Sequence, residues 1–62
     1  MPMKDPAYWF GYHQAQASLF QGKTWKEAKA DLQRMWEEQH PDMLWDENVD
    51  MVNEGWLAGR EN

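Results

Sequence analysis

The side chains best suited to chemistry in this chain are the acids of the segment "DENVDMVNEG". Asp46, Asn48 and Asp50 occupy alternate positions, as do the first ligands of an EF-hand calcium loop. That loop also needs glycine at its sixth position and a bidentate glutamate at its twelfth, whereas Met51 and Leu57 stand there. With two histidines and no cysteine, the chain also lacks the ligands of a structural zinc site. The sequence therefore predicts no metal site and no cofactor.

Candidate catalytic groups are equally scarce. Nucleophilic catalysis needs a hydroxyl or thiol held by a base, and we interpret Ser18 as a packed residue inside a helix and Thr24 as a helix cap. His13 lies at the border of the first helix and His40 precedes Pro41 at a helix end. Paired carboxylates need a cleft that raises one pKa, and three short helices seldom enclose one. We expect no catalytic residue and no enzymatic activity.

The acids do form a stripe. Asp46, Asp50 and Glu54 are spaced four residues apart with Glu47 beside them, and no Lys or Arg lies four residues away. Like charges at this spacing repel by a few tenths of a kcal/mol per pair. One interpretation is a solvated helix face. The other is an electrostatic contact with a basic groove of another protein, including a groove that normally holds nucleic acid.

Aromatic rings crowd the first helix at Tyr8, Trp9, Phe10 and Tyr12. Consecutive helical residues diverge by about 100°, so one core cannot accept all four rings. We expect one stripe to face the core, with two further rings along its edge. The stripe consists of Tyr8, Tyr12, Ala15 and Leu19, and the edge of Trp9 and Phe20.

Phe10 then points to a second face of small and weakly polar residues. Either the other helices of this chain cover that face, or a partner or a twin subunit does. Trp and Tyr dominate binding hot spots, and an uncovered ring among small residues would suit one. The docking interpretation predicts partner contacts by Trp9, Phe10, His13 and Ala17, together with the acidic stripe.

These side chains must be positioned by helices, because no stretch alternates with the period of a strand. A first helix is predicted over 6–21, capped by Asp5 with Pro6 at its first position and stopped by Gly22. A second is predicted over 25–39, where Thr24 and Glu27 have the spacing of a capping box and Pro41 limits the end.

A third helix is predicted over 46–58, capped by Asp46 or Asp42 and closed by Gly59. Glycine inside a helix costs about 1 kcal/mol relative to alanine, so we expect Gly55 to allow close approach of a neighbouring helix or ring. The fold class is all-α, a compact three-helix bundle forming one domain over 1–62. The core face of the second helix is predicted to consist of Trp25, Ala28, Leu32, Met35 and Trp36. That of the third is predicted to consist of Trp45, Val49, Val52 and Trp56.

Charge and composition narrow the classes of partner. The net charge is −5, and residues 37–62 hold eight acids against Arg60 alone. Binding of a phosphate backbone needs clustered Lys and Arg, and Lys23, Lys26 and Lys29 form the only basic cluster, so direct nucleic-acid binding is not expected. No apolar run approaches the ~18 residues that span a bilayer, and the start does not have the pattern of a signal peptide. We expect a cytoplasmic protein without a membrane partner.

Two fragments resemble a known family. "FGYHQA" and "GWLAGRE" are similar to the Gly-Tyr and Trp-Leu-x-Gly-Trp elements of ribosome modulation factor. That family is basic and sits on ribosomal RNA, whereas this chain is acidic, so its activity is not carried over. In style, the chain resembles the short, acidic accessory proteins of phages and mobile elements. That class implies inhibitors of host machinery, including anti-CRISPR and anti-restriction proteins.

The sequence thus favours a non-enzymatic protein-binding module that inhibits or modulates a larger host protein. In one form of this hypothesis, its acids stand in for nucleic-acid phosphates. Two alternatives stay open. One is a structural or regulatory homodimer that packs through the first helix. The other is a regulator associated with ribosomes or RNA.

Overall fold

A computed structural model describes residues 5–61. Three α-helices follow one another, α1 (Pro6–Gln16), α2 (Trp25–Gln39) and α3 (Trp45–Glu61), with a short 3-10 helix (Ser18–Phe20) between the first two. No strand occurs within residues 5–61. The predicted all-α three-helix bundle is confirmed, and α2 has the predicted bounds.

The first helix ends five residues earlier than predicted. Ala17 is extended (φ −73°, ψ 140°), and Ser18 therefore opens the 3-10 helix instead of lying inside an α-helix. Phe20 gives the physical reason. In a continuous helix it would lie eleven residues, or three turns, from Trp9 and share its outward direction. The break turns Phe20 into the core, where it is fully buried with its ring centroid 5.9 Å from that of Trp56.

The third helix is longer than predicted at both ends. It begins at Trp45, so Asp46 lies inside its first turn rather than before it, and it continues through Gly59 to Glu61. Gly59 does not stop the helix because it serves the contact with α1, where an added Cβ would lie 2.5 Å from the carbonyl oxygen of Tyr12. The glycine with a positive φ in residues 5–61 is Gly22, at +83°, which follows the 3-10 helix.

The closest packing joins α1 and α3 at the level of their backbones. A Cβ on Gly55 would overlap the carbonyl oxygen of Tyr8, and one on Gly11 would overlap the carbonyl oxygen of Val52. The predicted reason for Gly55, close approach of a neighbouring helix, is confirmed. Gly55 meets Tyr8 and Tyr12 while Gly59 meets the next turn of α1, so the two helices run in the same direction.

This contact reverses the predicted faces of α1. The buried residues are Ala7, Phe10, Gly11 and Ala15, and the prediction that the stripe of Tyr8, Tyr12 and Leu19 faces the core is wrong. Leu19 is 69% exposed. The small residues form the inner face because only they allow α3 to approach so closely, and large rings there would hold the two backbones apart.

The core faces of α2 and α3 agree with prediction. α2 packs against the α1–α3 pair through side chains, and the ring centroid of Trp36 lies 5.4 Å from that of Phe10. Trp25 contacts Trp56 at 6.1 Å. The buried residues of the two helices include Ala28, Leu32, Trp36, Trp45, Val52 and Trp56, and the half-buried ones Trp25, Met35 and Val49.

The start of α2 is fixed by the predicted capping box. The backbone N–H of Glu27 donates to Thr24 Oγ1 (3.2 Å), and the backbone N–H of Thr24 donates to Glu27 Oε1 (2.9 Å). The hydrogen bond from the Thr24 backbone N–H is the main cause that lowers the pKa of Glu27. The hydrogen bond from the Thr24 hydroxyl is the next largest cause. A carboxyl whose pKa falls on folding stabilises the folded state above its unfolded pKa, and this contribution is lost as the pH falls through the lowered value.

We expect Glu27→Gln to lower the urea midpoint at neutral pH, because the neutral amide is a weaker acceptor for the Thr24 N–H. In acid below the lowered pKa, the native carboxyl is also neutral, and the two proteins should unfold at nearly the same midpoint. Urea titrations followed by circular dichroism at both pH values check this. Glu38→Gln, at an exposed position of the same helix without a capping bond, is the control. A difference in midpoint that does not depend on pH would contradict the prediction.

Within residues 5–61, no helix combines the length and apolar character needed to cross a membrane.

Candidate functional site

Four rings remain on the outer side of α1 once Phe10 is turned inward. Tyr8, Trp9, Tyr12 and His13 contact one another and form what we call the α1 ring patch. The ring centroid of Trp9 lies 5.5 Å from that of Tyr8, 5.4 Å from that of Tyr12 and 5.9 Å from that of His13. Trp9 is therefore the centre of the patch, and 43% of its surface is exposed.

The ring patch and part of the acidic stripe face the same side of the α1–α3 pair. The carbonyl groups of Tyr8 and Tyr12 lie against the two glycines of α3. Because the helices run in the same direction, the side of α1 that carries Tyr12 and Trp9 and the side of α3 that carries Glu47 and Glu54 form one face. That face is turned away from α2. Asp50 and Asp46 continue the acidic stripe round the outside of α3.

The acidic stripe has no ion-pair partner within residues 5–61. Its members Asp46, Glu47, Asp50 and Glu54 are all exposed. Both ion pairs found within residues 5–61 use Asp31 on α2, with Lys23 at 3.9 Å and Arg34 at 2.7 Å. No Lys or Arg of the described part of the chain therefore neutralises the stripe, and its field reaches solvent over about one Debye length, ~8 Å at physiological ionic strength.

The structure divides the predicted partner-binding residues into two groups. Phe10 is only 8% exposed and packs on Trp36, so the prediction that it anchors a partner is wrong: its own chain encloses it. Ala17 is half-buried against the core and lies outside the ring patch. The residues that the structure leaves accessible are Trp9, His13, Asp46, Glu47, Asp50 and Glu54.

Two features of this surface were missed from the sequence. Tyr8 and Tyr12 were assigned to the core but contribute to the ring patch. Leu57 is 55% exposed and lies one turn after Glu54, so an apolar side chain follows the acidic stripe on α3. The spacing of Gly11 and Ala15 opposite Gly55 and Gly59 was the signal that could have identified the true inner face of α1.

No cluster of three or more His, Asp or Glu side chains in residues 5–61 is arranged to hold a metal ion. The described surface offers aromatic rings and carboxylates to a partner. No protein-family model, no curated protein and no solved structure gives a significant match to this chain.

Proposed function

We propose that this chain is a non-enzymatic binding module that occupies a basic face of a larger protein and thereby inhibits or modulates it. The observation that carries the proposal is Trp9. Of the five tryptophans, three are buried and Trp25 is half-buried, whereas Trp9 lies 43% exposed at the centre of a ring patch. A large apolar ring that stays in water contributes little burial free energy to folding. A partner that covers the ring would add that free energy to binding.

The ring patch suits a binding hot spot. Trp and Tyr are enriched among the residues that contribute most to binding free energy. The contacts among Tyr8, Trp9, Tyr12 and His13 hold the rings against one another before any partner arrives. Such a patch loses little side-chain entropy when it is covered, which leaves more of the burial free energy for binding.

The neighbouring carboxylates indicate the charge of the partner. Glu47 and Glu54 are exposed on the side of α3 that faces the same way as the ring patch, and Asp50 extends the charge round α3. An acidic margin accelerates association with a basic surface and disfavours acidic ones. If the partner is a nucleic-acid enzyme, these carboxylates would occupy positions that phosphates otherwise fill, and the module would act as a competitive inhibitor.

We expect Trp9→Ala to abolish capture of the partner. The immobilised protein is incubated with a lysate of its source cells, and retained proteins are quantified by mass spectrometry. Leu19→Ala is the matched control, because Leu19 is also exposed and apolar (69%) but lies outside the ring patch. The candidate partner, once purified, should bind Trp9→Ala at least ~30-fold more weakly, as for a hot-spot residue worth about 2 kcal/mol.

Charge substitutions form the second arm of this test. Asp50→Asn with Glu54→Gln should slow association about three- to tenfold at low salt and weaken its salt dependence. Ala30→Lys with Gln39→Lys, both exposed on α2, is the control, because each pair of substitutions changes the net charge of −5 by two units, to −3. Equal effects of the two pairs would remove the acidic stripe from the mechanism.

Two results would overturn the proposal in favour of the alternatives. A dimer in sedimentation experiments that dissociates on Trp9→Glu would assign the ring patch to a second copy of this chain. Retention of RNA that is lost on replacing Lys23, Lys26 and Lys29 would favour an RNA-associated regulator. Retained proteins that are the same for Trp9→Ala and the parent chain would exclude the ring patch as the binding surface.

A further inference from the structure

A groove lies where α2 ends and α3 begins, separate from the ring patch. Its volume is about 290 Å³, slightly below the range of roughly 300–1,000 Å³ that is usual for small-molecule pockets. A groove of this size fits a single long side chain better than a cofactor. It is lined by Glu37, His40, Pro41, Met43, Leu44 and Trp45.

The walls of the groove are held in place by hydrogen bonds of the turn. Trp36 Nε1 donates to the carbonyl oxygen of Met43 (2.8 Å), and the Met43 N–H donates to the carbonyl oxygen of His40 (3.0 Å). The imidazole of His40 contacts the buried Trp36 ring, with the ring centroids 4.3 Å apart and the planes tilted by 34°. The turn is therefore fixed to the core, and the groove exists before any ligand enters it.

The lining is apolar on one side and anionic at its edge. Leu44 is 63% exposed, a large fraction for a leucine, and it stands beside the buried Trp45. Glu37 provides a carboxylate whose Oε2 accepts a hydrogen bond from Gln33 Nε2 (3.3 Å), which restricts its position. The groove thus offers apolar contact along its length and one oriented negative charge.

The charged Asp and Glu side chains of the turn add negative charge around the groove. Glu37, Glu38, Asp42 and Asp46 all lie in or beside the turn, and no Lys or Arg occurs between residues 37 and 59. The carboxyl end of α2 adds the negative end of its helix dipole. These carboxylates and the end of α2 favour a cation in the groove and disfavour an anion.

We infer that this groove binds one arginine or lysine side chain presented by a protein partner. The aliphatic stem lies against Leu44 and Trp45, and the cationic group pairs with Glu37, which an arginine can contact through two parallel N–H···O bonds. The inference rests on the proposed function, because the partner that covers the ring patch is expected to have a basic face. It adds a second contact on a different side of the molecule and names the residue type recognised there.

The test uses a small probe instead of the unknown partner. N-acetyl-arginine amide is titrated into the isotope-labelled full chain, and N-acetyl-citrulline amide, which has nearly the same shape without the charge, is the control ligand. We expect saturable NMR shifts of the Leu44 methyls and the Trp45 indole in the millimolar range. Citrulline should bind at least ~10-fold more weakly, as expected when a charged hydrogen bond is lost.

Two variants separate the groove from general attraction to an acidic protein. Glu37→Gln should reduce arginine binding about tenfold, whereas Glu61→Gln, an exposed acid at the far end of α3, should leave it unchanged. Equal shifts for arginine and citrulline, or shifts spread over the acids of α3, would overturn the inference. Trp9→Ala should not alter the arginine titration. The capture experiment therefore tests the ring patch and the titration tests the groove, so either proposal can fail without the other.

Discussion

Gly55→Ala is expected to unfold a large share of the molecules at room temperature. The added methyl would overlap the carbonyl oxygen of Tyr8, and a backbone atom cannot move aside as a side chain can. The two helices would have to separate along the whole contact. Overpacking commonly costs about 1–3 kcal/mol, and this case should lie above that range. A chain of this length has a total stability of only about 3–9 kcal/mol.

The measurement is a urea titration followed by circular dichroism and tryptophan fluorescence. Alanine has a higher helix propensity than glycine by about 1 kcal/mol, so propensity alone would predict a more stable protein. Asp50→Ala, on the exposed side of the same helix, is the control in which propensity acts without a clash. A Gly55→Ala variant as stable as the parent chain would show that α1 and α3 do not meet at this glycine.

Trp36→Ala is expected to lower the free energy of unfolding by about 3–5 kcal/mol, the usual range for a buried tryptophan or phenylalanine. The side chain is fully buried, contacts the rings of Phe10 and His40, and donates a hydrogen bond to the carbonyl oxygen of Met43. Its removal would leave a cavity and an unpaired carbonyl in the turn. Thermal and urea unfolding both measure the loss.

Trp9→Ala is the matched comparison, because it removes the same side chain from the surface. We expect it to cost less than about 1 kcal/mol, since Trp9 is 43% exposed and contacts other surface rings. Trp36→Phe keeps a buried ring but removes the N–H. Its loss in free energy of unfolding should lie between those of Trp9→Ala and Trp36→Ala. Equal losses for Trp9→Ala and Trp36→Ala would contradict the assignment of core and surface in α1 and α2.

The second helix could be predicted from sequence because its signals agree. The Thr24 and Glu27 pair fixes its start, the proline after His40 limits its end, and one apolar arc faces the core. Each signal is local, so no knowledge of the other helices is needed. The same reasoning identified the inner face of α3 and gave the correct reason for Gly55.

The first helix could not be predicted in the same way because its inner face depends on another helix. Ranking residues by apolar size assigns the core to Tyr8 and Tyr12, whereas contact at the level of the backbone selects Gly11 and Ala15. The early end of α1 has a similar cause, since Phe20 reaches the core only if the helix breaks at Ala17. The inner face of α1 and its early end both depend on how α3 packs against this part of the chain.

The candidate surface was predictable in part. Exposure of the four acids follows from their spacing along α3, whereas Trp9 is exposed although the helical wheel placed it at the edge of the predicted core stripe. Phe10 was misassigned because the inner face of α1 was misassigned, and the groove at Leu44 depends on a turn geometry that no local pattern encodes. Exposed charges can thus be predicted from the sequence, whereas the position of a groove can be determined only from the three-dimensional structure.

The parallel contact of α1 with α3 has a consequence for synthesis on the ribosome. The small face of α1 can be covered only after Gly55 and Gly59 have been synthesised. α1 therefore cannot complete its packing until α3 has been made. Until then, Phe10, Phe20 and Trp36 remain in water, where nascent chains are prone to aggregate. The yield of folded protein should therefore depend on how quickly α3 docks against α1 once both helices have been made.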